Sequence, residues 1–269
     1  MKRLLALSFS LACFAGDGLD PAALLKPPTD TWPTYNGDYS GRRYSTLSQI
    51  NQSNVGQLTL AWMTYAGDYG DNLATNVAWA GFNGQEPVDW ASGWEDWSDP
   101  NDTDNTNALN LKSPLGQLWP FSQSLGIYKC PADPSPLIRS VSMNLRMNGS
   151  DWEDAPIAEF TNPNKLSAIV NPTPADAFVF IDERCDSIND GFFVVEMDFT
   201  NDMATLGNIP ANYHNGCGTV SFADGHVEIH RWVDPRTEPP LDQTQNGGLM
   251  PNDPDVAWIQ QHCSALINQ

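Results

Sequence analysis

The residues best suited to chemistry lie in one short run, Asp182-Glu183-Arg184-Cys185-Asp186-Ser187-Ile188-Asn189-Asp190-Gly191. A hard cation such as calcium takes about six to eight oxygen ligands. Asp182, Glu183, Asp186, Asn189 and Asp190 could supply several of them from one compact loop, as a structural staple. The spacing does not follow the EF-hand pattern. A solvated turn between strands, with Asp186 and Asn189 bonding locally to backbone, accounts for the same residues, and Arg184 could offset part of the charge.

Four tryptophans form the second candidate. Trp79, Trp90, Trp94 and Trp97 fall in a polar, irregular stretch from Asn72 to Asn110. Indoles beside carboxylates can pack on the apolar face of a sugar ring, which would make a calcium-assisted carbohydrate-binding surface module. Anchoring of the loop to the body is the preferred reading, because large aromatics usually serve that end.

The histidines are weaker candidates. His226, Glu228 and His230 alternate on one strand face, but residues two apart on a strand stand about 7 Å from each other. No fourth ligand is evident, so a solvated polar face is preferred to a zinc site. His214 and the Asp224-Gly225 pair bracket one strand, with about 30 Å between its ends if extended. That separation assigns Asp224 to turn geometry and His214 to a bond with a neighbouring loop. No nucleophile elbow, phosphate loop or dinucleotide fingerprint occurs.

The elements that position these residues follow from periodicity. Val55, Leu58, Trp62, Tyr65 and Ala66 recur at helical spacing and predict a helix over Ser53 to Asp68. Ser113-Pro114 opens a second helix to Leu125, with proline at its tolerated first position. Strands are expected at Ser140 to Met147, Ala177 to Ile181 and Phe192 to Met197, with a helical turn at Lys165 to Val170. Asp224-Gly225 predicts a two-residue hairpin turn that pairs Phe222 with Val227 and Val220 with Ile229. Pro235 to Gly248 is a linker, and Pro254 to Leu266 carries a terminal helical stripe. The fold class expected is α+β: an antiparallel sheet of four or more strands packed on the first helix, with long loops.

Composition narrows the function. The 269 residues hold 33 acids against 13 Lys and Arg, a formal charge of −20. Nucleic acid and anionic membrane surfaces need basic patches, so neither is expected as a partner. Between Arg43 and Lys112 lie nine carboxylates and no base. Met1-Lys2-Arg3 before the apolar run Leu4 to Ala15 has the form of a signal peptide, cleaved near Ala15 or Gly16. An exported chain (periplasmic, cell-surface or secreted) follows, with no transmembrane segment once matured. Cys130, Cys185, Cys217 and Cys263 then permit two disulfides in any of three connectivities.

The His214-x9-Asp224-Gly225 arrangement resembles the signature of bacterial prepilin-type processing-associated proteins, relatives of type II secretion pseudopilins. Tyr128-Lys-Cys-Pro-Ala-Asp133, Arg139 to Asn144, Phe178 to Glu183 and Asp186 to Gly191 resemble segments of that family in the same order. The likeness runs from about residue 54 to the end. It implies a pseudopilin-like sheet packed on the end of a long helix, and partners in secretion or pilus-like machinery. Major pseudopilins often hold calcium in a nearby loop. The family's peptidase site and anchoring helix are not found, so a relative outside the filament is expected.

A second resemblance covers residues 24 to 57. Leu25-Lys-Pro-Pro, Trp32 to Ser45 and Gln49-Ile-Asn51 are similar to the N-terminal lead-in of pyrroloquinoline-quinone-dependent alcohol dehydrogenases. Residues 1–16 would then be the signal peptide, 17–53 a dehydrogenase-like leader, 54–237 the pseudopilin-like domain, and 238–269 the linker and terminal helix. The reading that follows is a hybrid with a non-enzymatic structural or binding role and no quinone. A surface module binding polysaccharide and a dehydrogenase fragment are its rivals.

Overall fold

The computed structural model describes residues 52–76, 88–149, 159–197, 206–241 and 248–267. The signal segment, nearly all of the leader and Trp79 lie outside the described residues. Everything below concerns the compact unit that begins at Asn51.

Helix α1, Gln52–Asp68, forms where the apolar spacing places it. Leu58, Trp62 and Ala66 are fully buried, with Ala61 nearly so. The helix ends because Gly70 turns left-handed at φ +65. The Asp71 N–H then closes on Ala66 O at 2.8 Å, the glycine-dependent stop that caps many helices.

Five strands form one sheet in the order β3-β1-β2-β4-β5. They are β1 Val141–Asn144, β2 Phe178–Asp182, β3 Phe192–Phe193, β4 Cys217–Phe222 and β5 Val227–Arg231. All neighbours run antiparallel except β1 and β3, which are parallel. The expected all-antiparallel sheet is corrected by this short edge pair. Between Phe178 and Phe180 the β2–β4 register slips. A bulge of this kind lets Val179 and Phe180 both face the α1 side, while Phe178 and Ile181 face the other.

Both faces of the sheet are covered. On one, α1 packs Leu58, Trp62 and Ala66 with Val141, Met143 and Phe180, and Thr59 Oγ1 donates to Ser221 Oγ at 2.6 Å. On the other, helix α3, Pro254–Cys263, packs Val256, Ile259 and Cys263 with Phe178, Val220, Phe222 and Trp232. Asp253 caps α3 by accepting from the N–H groups of Asp255 and Val256, the role a side-chain carboxylate plays best at that position.

Two sequence expectations differ from the structure for local reasons. The segment from Ser113 forms only the single turn of α2, Trp119–Ser122. Asp89 accepts from Gln117 N and donates to Leu115 O, and this bridge pins the chain in turns before a helix can propagate. The hairpin register is one residue off the expected one, with Ser221 opposite Val227 and Val220 opposite Glu228. Its loop has three residues, Ala223 to Gly225, closed by Phe222 N to His226 O at 3.0 Å. Gly225 at φ +93 takes the left-handed position, the standard three-residue solution with a one-residue bulge. The shift is tolerated because β5 is an edge strand with Ile229 40% exposed, so no buried face specifies its register.

Trp62 is the keystone of the α1 contact. Trp62→Ala should lower unfolding free energy by about 3–5 kcal/mol, measured by urea denaturation. A change within experimental error would mean that α1 is not docked as described.

Candidate functional site

The polar residues converge at one end of the sheet, where β1 begins, β2 ends and the segment before β4 arrives. Arg139, 1% exposed, donates to Val141 O at 2.9 Å, Ser142 Oγ at 3.1 Å and Asp190 O at 2.6 Å. Its Nε lies 4.0 Å from Glu95. Glu183 accepts from Ser142 Oγ, from Ser187 Oγ at 2.8 Å and from Asn208 Nδ2 at 2.7 Å. Burial pushes the carboxyls of Glu95 and Glu183 up to about 8, against the partial opposing effect of Arg139. Asp190 is pushed up to about 7 by burial, against the N–H of Phe192.

Beside this network lies a second cluster. Cys130, Asp182 and His214 each bring one ligand-type atom within 4.8 Å of the others, the one such group of His, Cys, Asp or Glu among the described residues. Cys130 Sγ and His214 Nε2 are 3.3 Å apart. Cys130 and Asp182 are buried and His214 is half-buried. Burial raises the Asp182 carboxyl to about 7, opposed by bonds from Thr219. It raises the Cys130 thiol to about 12 and lowers the His214 imidazole below its usual value.

The calcium loop does not close on itself. Asp182 turns toward Cys130 and His214, and Glu183 is spent on Ser142, Ser187 and Asn208. Asp186 pairs with Arg184 through bonds of 2.9 and 2.6 Å. Asn189 Oδ1 and Asp190 Oδ1 accept from the backbone at Asp190 and Phe192. Glu183, Asp186 and Asp190 have each found a nearer protein donor, which a spacing argument could not foresee.

Among the described residues Trp90, Trp94 and Trp97 do not form one exposed platform. Trp90 is fully buried, stacked on Tyr128 at 6.2 Å and donating to Asn76 and Gly191 O. Trp97 packs on Leu137, Cys185 and Ile188, while Trp94 is 38% exposed. Trp90 is buried on both faces with its N–H satisfied, and Trp97 is partly buried against the body, so both anchor the loop.

His214 bonds to the loop carrying Cys130, whereas Asp224 accepts from His226 N at 3.0 Å inside the hairpin loop. His230 is no solvated residue, because it stacks on Trp258 of α3 at 3.7 Å. Among the described residues Cys130, Cys185, Cys217 and Cys263 are free thiols, and no disulfide joins them. Sequence reading missed Cys130 and the pairing of Asp182 with His214. Cys130-Pro131 and His214 were visible as separate motifs, but nothing in their spacing joins residues 84 apart.

Comparison with known proteins bears on the front of the chain. Residues 32–86 match the family model described as glucose/ethanol/alcohol dehydrogenase, beta-propeller domain. The dehydrogenase subunit of the quinone alcohol dehydrogenase from Gluconacetobacter polyoxogenes is 42% identical over 74 residues, covering 25% of this chain and 10% of the relative. The corresponding subunit from Komagataeibacter europaeus gives the same figures. That from Gluconobacter oxydans (strain 621H) is 34% identical over 117 residues, 36% of this chain and 15% of the relative. The chain thus spans only a small part of the length of these relatives. No solved structure matches.

These matches correct the expectation of a non-enzymatic chain, because the matched model and all three relatives are alcohol dehydrogenases. They also extend the dehydrogenase-like stretch beyond residue 57, through α1 to residue 86. The quinone such a family implies carries three carboxylates, and holding it calls for unspent cationic donors around a slot. Arg139 gives its donors to backbone and Ser142. Arg184 gives its own to Asp186 and the carbonyls of Pro239 and Pro240, and Arg146 lies over the Phe160 ring. Arg139 and Arg184 are thus committed within the fold.

Glu95, Asp182, Glu183 and Asp190 all hold their protons to higher pH folded than unfolded. Unfolded carboxyls titrate near about 4, so the folded state binds more protons from there up to about 7 to 8. Stability is therefore greatest at the acid end of that window and falls as pH rises through it. Urea denaturation should show this decline, and Glu183→Gln should flatten it. A wild-type profile that rises across the window would contradict the assignment.

Proposed function

We propose that this chain joins a segment of the quinone-dependent alcohol dehydrogenase lineage to a separate binding body. The carrying observation is the family match over residues 32–86, supported by 42% identity to the Gluconacetobacter polyoxogenes subunit. That segment includes α1, whose Leu58 and Trp62 enter the core of the body. The dehydrogenase-derived stretch is thus built into the fold as its packing helix. A chimera in which residues 32–86 replace the aligned stretch of the Gluconobacter oxydans subunit should load quinone and oxidise ethanol. A chimera that fails to fold, or that loads quinone without oxidising ethanol, would overturn the assignment.

The body has a finer reading of its own, as an exported pseudopilin-like domain that binds a component of a secretion or pilus-like system. What favours it is a helix laid on a small sheet, with His214 and Asp224-Gly225 at opposite ends of β4. Among the described residues no helix is long and apolar enough to cross a membrane. Fractionation of the producing cells should place the chain in the periplasmic or extracellular fraction. Recovery from the cytosol alone would remove this reading.

A further inference from the structure

The cluster at the end of the sheet has the composition and spacing of an ion site. We propose that Cys130 Sγ, a carboxylate oxygen of Asp182 and His214 Nε2 bind one divalent transition-metal ion of the zinc class, with a fourth position open on the His214 side.

Three chain segments, remote in sequence, supply the ligands. Asp182 ends β2 opposite Val141. Cys130 is fixed by its N–H, which donates to Ser140 Oγ at 2.7 Å. His214 is placed by its own N–H on Cys217 O at 3.3 Å. All three ligand atoms lie within 4.8 Å of one another, with sulfur and nitrogen at 3.3 Å. Ligands bonded tetrahedrally to zinc stand about 3.5 Å apart, given bonds of about 2.0 to 2.3 Å. Side-chain adjustment of about an ångström therefore closes the set, and the site is nearly formed without the ion.

An independent observation points to a ligand. Asp182 is 2% exposed, and its Oδ1 is buried with no hydrogen-bond partner. An unpartnered carboxylate oxygen in the interior carries the full cost of lost hydration. A bound cation is the natural complement to that oxygen. His214 is half-buried, and imidazole nitrogen is a common metal ligand. A bound metal ion would displace the proton of the buried thiol. Sulfur among the ligands selects against calcium and magnesium and in favour of zinc, or cobalt in its place.

The test uses the full-length protein stripped of metal and titrated with cobalt(II) and then zinc. One cobalt per chain should bind and give a thiolate-to-cobalt charge-transfer band in the near ultraviolet, which zinc then abolishes. Zinc should also raise the Tm of the stripped protein. Cys130→Ala should lose the band, whereas Asp182→Asn and His214→Ala should bind on the order of a hundredfold more weakly, each lacking one ligand. Cys217→Ser, outside the cluster, should keep the wild-type spectrum. Circular dichroism reports whether each variant folds. If one does not, the wild-type titration and Tm still decide. Wild-type protein without a thiolate band or a zinc-dependent Tm, or a band that survives in folded Cys130→Ala, would overturn the site.

Discussion

The structure depends on how one buried guanidinium is shared. Arg139 reaches the backbone of β1, the side chain of Ser142 and the carbonyls of Asn189 and Asp190. It thereby fixes the loop after β2 against the strand beside it. Ser142 passes the connection to Glu183, which in turn holds Ser187 and Asn208. Charged groups out of water survive only when their bonding capacity is met. The network therefore leaves few alternative placements for the loop from Asp182 to Gly191. The same requirement explains why those carboxylates do not gather around one ion.

What the network fixes on one side, the Cys130 cluster inherits on the other. Asp182 and Glu183 are adjacent on a strand, so they point to opposite sides. Glu183 is committed to hydroxyls and an amide, and Asp182 faces a thiol and an imidazole. A single alternation of the backbone separates a structural carboxylate from one with an oxygen still in want of a partner.

The dehydrogenase-like stretch and the sheet meet through α1. Trp62, Leu58 and Ala66 place apolar area over Val141, Met143 and Phe180, and Thr59 meets Ser221 in the middle of that face. A segment similar to part of an alcohol dehydrogenase is thus tied to the body by ordinary core packing. Homology of the segment and architecture of the body are separate facts about one chain.

The sequence by itself determined the local elements. Helical spacing located α1 and α3, apolar runs located β2 and β4, and Asp224-Gly225 located the hairpin, because each follows from interactions within a few residues. The lead-in similar to quinone dehydrogenases was also legible, in Trp32 to Ser45 and its neighbours. Tertiary structure alone decided the hairpin register, which an exposed edge strand leaves free, and the fate of Ser113 to Leu125, pinned by Asp89. It also decided which carboxylates were satisfied by arginines and hydroxyls and which one was left facing Cys130 and His214. The physical reason is that propensity and pattern act along the chain, whereas desolvation and pairing of buried polar groups depend on neighbours that only folding brings together.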